Sequence, residues 1–341
     1  MSRLRVVAVL LPLLLTLIPG SASAASRPQV LTSGRDIPWG LAFLPDGSAL
    51  FSERSGGVWA VTPGKPARRI YTVAEARPHG EGGLLGIAVG PSYASDGRVY
   101  LYYSTDSDNR IAFIRRGSAA RPTPIVTGIP VASTHNGGRI VFGPDGLLYA
   151  GTGDAQVSSR SQDTSSLGGK ILRVTRDGRP APGNPFGTAV FSFGHRNVQG
   201  LVFDRNRTLW ATELGQNTSD EVNVIVNGGN YGWPAVEGRS SDTRFRNPAW
   251  TWTTDVASPS GIAIKGDSLY VAALRGGRVW RLRFSGTTIS SQTAMFTNVY
   301  GRLRTIGQNP RDGAMWLTTT NRDRSGAAAV DDRILRFTTF P

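Results

Sequence analysis

The chain has 341 residues and no cysteine, which excludes disulfides, thiol nucleophiles and thiolate metal sites together. Its formal net charge is +14, and of its 38 basic residues all but Lys65, Lys170 and Lys265 are arginine. The arginines are scattered and no helix-turn-helix or RNA-binding signature accompanies them. The scatter therefore speaks against nucleic acid, and the charge itself for attraction to anionic partners.

The chain opens on Arg3 and Arg5, followed by an almost unbroken apolar run from Val6 to Ile18 and by Ala22-Ser23-Ala24. A short positive region, an apolar stretch and a small-x-small site predict a secretory signal peptide over residues 1–24, cleaved near Ala24. The expected product is secreted, periplasmic or cell-wall associated. The apolar run is too short to cross a bilayer comfortably, and no later segment is longer, so no stable membrane insertion is expected. Residues 25–341 are expected to form one catalytic domain.

From Trp39 onward the sequence repeats a unit of short apolar strands joined by polar turns, without an amphipathic helix of any length. The units begin at Trp39, Leu85, Gly138, Gln199, Ser260 and Arg304, and the last ends on "DDRILRF". A spacing of about 45 to 61 residues suits four antiparallel strands, and six such units predict an all-β, six-bladed β-propeller.

The propeller gives the sequence a direction. The turns "PDG" (Pro45 to Gly47), "PDG" (Pro144 to Gly146) and "DRNR" (Asp204 to Arg207) join the first strand of a unit to the second, on one face. Residues just before each first strand, and just after each second strand, must then converge on the opposite face. Those positions hold Glu81, His135, Asp154, Arg196, Asn197, Arg275, Arg302 and Arg304. A histidine beside a carboxylate makes a general base, the acid fixing the tautomer. Four arginines around one pocket imply a ligand with several negative charges, since guanidinium groups pair with carboxylates bidentately. No serine elbow, P-loop or dinucleotide fingerprint follows a strand.

The segments "HNGGRIVFGPDGLLYAGTGD", "LGGKILRV", "GHRNVQGLVFD", "DEVNVIVNGGNYGWP" and "SPSGIAI" resemble the soluble quinoprotein sugar dehydrogenases. These form the glucose/sorbosone dehydrogenase family, with the aldose sugar dehydrogenases among them. The resemblance runs from Ile37 to Phe337. It implies bound pyrroloquinoline quinone (PQQ), a tricarboxylate, together with Ca²⁺. It also implies oxidation of an aldose at C1 to the lactone, with an external electron acceptor. On this resemblance His135 is the base, Asp154 orients it, and Arg196 lies over the reacting oxygens. Asn197, Arg302, Arg304, Arg275 (a lysine in the glucose dehydrogenases) and Glu81 (a glutamine in some members) contact the cofactor. The backbone carbonyls of Gly215 and Gln216 match those that bind the cofactor's Ca²⁺, and carbonyl ligation suits a hard cation. Glu221 and the Tyr231 carbonyl resemble a second, structural calcium site.

Two other readings fit a six-bladed propeller. A calcium-dependent lactone hydrolase would converge carboxylate and amide side chains on one axial ion, for which Glu81, Asp154 and Asn197 are the candidates. A non-enzymatic ligand-binding propeller would need none of the base, acid and arginine set.

Overall fold

The computed structural model describes residues 27–324 and 326–341, so the signal peptide expected over residues 1–24 lies outside the described residues. The described chain opens on a short strand, β1 (Gln29–Thr32). It then runs through β2 (Pro38–Phe43), β3 (Ala49–Glu53), β4 (Gly57–Val61) and β5 (Arg68–Thr72), which pair in that order as the first blade. The second blade is β6 (Leu84–Val89), β7 (Arg98–Ser104), β8 (Asn109–Arg115) and β9 (Thr123–Ile129). The third is β10 (Ile140–Phe142), β11 (Leu148–Gly151), β12 (Lys170–Val174) and β13 (Val190–Phe193). The fourth is β14 (Val198–Phe203), β15 (Leu209–Glu213), β16 (Asp220–Ile225) and β17 (Trp250–Trp252). The fifth is β18 (Pro259–Lys265), β19 (Ser268–Ala273), β20 (Arg278–Ser285) and β21 (Thr288–Met295).

The sixth blade takes β22 (Leu303–Gln308), β23 (Met315–Thr319) and β24 (Ile334–Phe337) from the end of the chain and β1 from its beginning. Val30 pairs antiparallel with Leu335, and Leu31 packs beside Trp316 and Ile334. The outermost strand of the last blade thus comes from the other end of the sequence and ties the ring shut. With that addition the fold is the six-bladed propeller of four-stranded antiparallel sheets that the repeat predicts.

The strands read as continuous apolar runs because both faces of each sheet are covered. In β7, Val99, Leu101 and Tyr103 pack towards the first blade, while Tyr100 and Tyr102 pack towards the third. The same two-sided alternation yields six hydrophobic clusters among the described residues, each lying between two neighbouring blades. Trp316, fully buried between the last blade and the first, meets Phe43 edge-on at 5.3 Å. Truncating such a side chain to alanine costs about 3–5 kcal/mol.

The innermost strands β2, β6, β10, β14, β18 and β22 neighbour one another around the axis. Polar side chains cross-link them there. Arg139 donates to the Gln199 carbonyl at 2.7 Å and to Thr305 Oγ1 at 3.0 Å, and Thr305 Oγ1 donates to the Trp39 carbonyl at 2.6 Å. Ser260 and Arg304 both donate to Gln199 Oε1, at 3.0 and 2.9 Å. Beneath the site the axis is filled by bonded polar groups, which a buried polar network needs in order to be stable.

Candidate active site

The loops before β10 and after β11 meet through backbone. His135 sits in the left-handed region with φ of 58°, and its carbonyl accepts from the Ala155 amide at 3.1 Å. A Cβ on Gly153 would lie 1.9 Å from that carbonyl oxygen, so only glycine allows the two loops to cross here. A left-handed histidine is strained, and such strain persists where the surroundings over-determine it. Three contacts do so: the Ala155 amide, the ring's bond to Asp154, and the His135 amide donating to Glu81 Oε2 at 3.0 Å.

The crossing brings His135 Nδ1 within 2.8 Å of Asp154 Oδ1. The imidazole keeps 19% of its side-chain surface, whereas the acid keeps 2%. The ring can therefore touch a ligand while the carboxylate stays sealed behind it. Asp154 Oδ2 accepts from Trp233 Nε1 at 2.9 Å, and Oδ1 also accepts from the Gln156 amide at 2.9 Å. Burial alone would raise the Asp154 carboxyl; the bonds from His135 and Trp233 outweigh it and hold the group below the usual carboxylate range.

On the other side of the ring, Arg196 Nη2 stands 2.9 Å from His135 Nε2. A guanidinium has donors only, so Nε2 carries the lone pair and Nδ1 carries the proton that goes to Asp154. Arg196 is itself held firmly: Nη1 donates to the Leu214 carbonyl at 3.1 Å, its amide donates to Glu213 Oε1, and its guanidinium lies 5.6 Å from the Trp233 ring. The other Glu213 oxygen is 2.8 Å from His195 Nδ1, and His195 Nε2 is 2.9 Å from Ser192 Oγ. In this second serine–histidine–acid chain Ser192 and His195 are completely buried and Glu213 nearly so, and through Glu213 it fixes the backbone amide of Arg196. Asn197 is buried beside it, with Oδ1 accepting from the Gly137 amide at 3.0 Å.

Arg302 and Arg304 meet on one acid that the sequence reasoning did not single out. Asp323 accepts from Arg304 at 3.0 Å, from Arg302 at 3.4 Å and from Arg54 at 2.9 Å. Burial pushes the Arg304 guanidinium down to about 10, Asp323 opposing the shift and Arg302 adding to it. Glu81, bonded to the His135 amide, also acts electrostatically on Arg302 and Arg304 and so joins the two groups. Three guanidiniums against one carboxylate, with Glu81 nearby, leave an excess of positive charge at this mouth.

The remaining expected residues lie around this centre. Arg275 lies on the predicted face, after β19, but is exposed, and among the described residues no hydrogen bond joins it to the rest of the site. Gly215 and Gln216 follow β15 next to Arg196, and their amides face carboxylates, Gly215 donating to Asp220 Oδ1 and Gln216 to Glu237 Oε1. Glu221 and Tyr231 line one small pocket with Glu213, Gly215 and Glu237. Glu221 accepts from the Gly238 amide at 2.8 Å and from Asn223 at 2.9 Å, and burial with Glu213 beside it pushes its carboxyl well above the usual carboxylate range. Among the described residues no three histidine, aspartate or glutamate side chains form a ready-made metal cage, so a cation here would depend on backbone oxygens as well.

Sequence reasoning missed Asp323, Arg54, Trp233 and Glu213. Three of them were within reach of its own rule, since Glu213 ends β15, Arg54 follows β3 and Asp323 follows β23, as Asp154 follows β11. Trp233 lies within the "NYGWP" motif but gives no sign from spacing that its N–H reaches back 79 residues to Asp154.

A six-bladed propeller that gathers a histidine–carboxylate pair and a guanidinium set at one mouth defines a class. The chain belongs to the Glucose / Sorbosone dehydrogenase family, which matches residues 35–329. It is similar to the PQQ-bound aldose sugar dehydrogenase of Streptomyces coelicolor, with a TM-score of 0.88 and 46% identity over 92% of this chain and 97% of that one. It is 29% identical to the aldose sugar dehydrogenase YliI of Escherichia coli, over 88% of this chain and 91% of the relative. Against quinoprotein glucose dehydrogenase B of Acinetobacter calcoaceticus it is 31% identical, over 64% of this chain and 54% of that protein.

Proposed function

We propose that this protein is an exported, PQQ-dependent aldose dehydrogenase that oxidises the sugar at C1 to the lactone and passes electrons to an external acceptor. The observation that carries the proposal is the line Asp154–His135–Arg196 beside the under-neutralised set Arg54, Arg302 and Arg304. Four polar atoms at this mouth, Arg196 Nε, Asn197 Nδ2, Arg302 Nε and Arg304 Nε, are buried without a hydrogen-bond partner among the described residues. Donors left over beside excess positive charge suit a planar polycarboxylate, and PQQ is a tricarboxylate. The residues fit the group.

Arg302 and Arg304 would hold the cofactor's carboxylates, with Asn197 and Glu81 beside them. The carbonyls of Gly215 and Gln216 would hold its Ca²⁺. Bound PQQ supplies a two-electron quinone acceptor for the C1 hydride, and Ca²⁺ supplies a Lewis acid beside it. His135 Nε2, kept as a lone pair by the Nδ1–H bond to Asp154, takes the C1 hydroxyl proton. Arg196 then turns its donor from Nε2 to the oxygen on which negative charge grows. Glu221 and Tyr231 are proposed to hold a second cation, which would relieve the crowding of Glu221 by Glu213. Export rests on the Arg3–Ala24 pattern.

The hydrolase reading is disfavoured by where the acids point. Glu81 is bonded to the His135 amide, Asp154 accepts from a ring and an indole, and Asn197 Oδ1 accepts from Gly137, so none is directed at a common axial ion. Titration with PQQ and Ca²⁺, followed by an aldose assay with an artificial electron acceptor, tests the proposal. Saturable binding at micromolar PQQ with quinone-dependent sugar oxidation is expected. Lactone hydrolysis without quinone would replace this reading with the hydrolase.

A further inference from the structure

The loop from Gly215 to Ser219 leaves the end of β15 next to Arg196, and carboxylates hold all five of its amides. Gly215 donates to Asp220 Oδ1 at 2.9 Å. Gln216, Asn217, Thr218 and Ser219 all donate to one atom, Glu237 Oε1, at 2.6, 2.9, 3.0 and 3.1 Å. Glu237 comes from a separate segment beyond β16 and lines the same pocket as Arg196, Glu213 and Glu221. Successive amides converging on one anion form a nest, a concave backbone arrangement that usually receives a bound anion. Here the chain fills it with its own carboxylate.

The consequence lies on the other side of each peptide. In a planar trans amide the N–H and the C=O of the same unit point in opposite directions. The peptides of this loop are all trans. Turning the amides of residues 215–219 towards Asp220 and Glu237 therefore turns the carbonyls of residues 214–218 away from them. Two of these oxygens are accounted for, since Leu214 accepts from Arg196 Nη1 at 3.1 Å and Asn217 accepts from Thr254 at 3.3 Å. Among the described residues the carbonyls of Gly215, Gln216 and Thr218 accept no hydrogen bond, and the first two of these are adjacent in the chain. The free pair sits next to the oxygen that anchors Arg196.

We infer that Glu237 is the positioning residue of the cation site: by gathering four amides it turns the Gly215 and Gln216 carbonyls outward as a pair of hard ligands. The side chains at 214 and 216 then take no part in ligation. Glu237 does not itself need to touch the ion. The inference rests on the proposed PQQ and Ca²⁺ function and concerns what prepares the loop for the cation.

The test uses the full chain loaded with PQQ, with Ca²⁺ titrated into wild type, Glu237→Gln and Glu237→Ala. Binding is read from Ca²⁺-dependent changes in cofactor absorbance, and the loop from hydrogen exchange of amides 216–219. Glu237→Gln keeps the size and an acceptor oxygen but drops the charge, so it folds even if alanine does not. The expected result is a Ca²⁺ midpoint raised about tenfold or more in Glu237→Ala and less in Glu237→Gln, with faster exchange in both. Turnover is expected to recover at saturating Ca²⁺, which a general loss of structure would not allow. If wild type takes up Ca²⁺ and both variants match its midpoint, the positioning role is overturned while the proposed function stands. If PQQ-loaded wild type takes up no Ca²⁺, both fail together.

Discussion

Arg196 Nη2 and His135 Nε2 stand 2.9 Å apart, so a permanent donor faces a base nitrogen. The contact holds the lone pair on the exposed side of the ring while Asp154 keeps the proton on the buried side. An incoming hydroxyl must take the place of Arg196 Nη2 at that nitrogen, which leaves the guanidinium free to follow the oxygen. A base and a charge stabiliser that share one hydrogen bond before the substrate arrives require no separate reorganisation of each.

Replacing His135 tests the base directly. Asparagine is the informative choice, because it tolerates the left-handed backbone at φ 58° that alanine would strain. His135→Asn is expected to bind PQQ as wild type does and to lose about 10²–10⁴-fold in kcat. Cofactor titration and steady-state kinetics measure the two quantities. Unchanged kcat would remove His135 from its role.

Asp154→Asn acts through hydrogen-bond polarity. One carboxylate oxygen accepts from the His135 ring and the Gln156 amide, and the other accepts from Trp233. An asparagine must aim its NH₂ at one of these donors, whichever way it turns. The variant is expected to lose about 1–3 kcal/mol of stability, the cost of a buried donor left unpaired. If the amide faces the ring it favours the other tautomer, with the proton on Nε2, and kcat falls with little change in KM. Chemical denaturation and ¹⁵N imidazole shifts read the two effects, and a wild-type tautomer with wild-type stability would contradict this account.

Gly153→Ala tests the crossing that creates the site. The added Cβ would fall 1.9 Å from the His135 carbonyl oxygen, and backbone on both sides leaves it nowhere to go. The expected cost is about 3 kcal/mol, at the upper end for overpacking. kcat is expected to fall as well, because the loop that must yield carries His135. A melting temperature equal to wild type would mean that the two loops separate easily.

The propeller is legible in the sequence because each blade buries both faces, so β7, for example, reads as one apolar run with a turn at either end. The hairpin turns repeat as well: Gly143 donates to the Leu147 carbonyl as Leu44 does to that of Ser48. What the sequence hides is pairing at long range. β1 is four residues long, two of them exposed, and its partner lies about 300 positions away; nothing local marks it as a strand of the last blade. The site divides along the same line. His135, Asp154 and Arg196 occupy fixed places in the repeat and can be read from register. Trp233 and Glu237 reach the site from the long segment between β16 and β17, which has no counterpart in the repeat.

Asp323 carries the last prediction. Burial raises its carboxyl, but Arg304, Arg54 and Arg302 outweigh burial and hold it below the ordinary value of 3.8. A depressed folded-state value means that the ionised acid stabilises the fold above the unfolded value and that this contribution is lost as pH falls through the folded one. Asp323→Asn removes the acid from three guanidiniums, at an expected cost of about 2 kcal/mol near neutral pH. The variant should also lack the part of the acid-side loss of stability that Asp323 causes, so the two melting curves draw together as pH falls below 3.8 and through the depressed folded value. Polyvalent anions separate this from a simple packing defect. With the carboxylate gone, the guanidiniums are more in need of negative charge, so citrate or PQQ should raise the melting temperature of Asp323→Asn by more than that of wild type. Equal shifts in the two proteins, or a gap between their curves that does not narrow as pH falls, would show that Asp323 does not neutralise the arginine set.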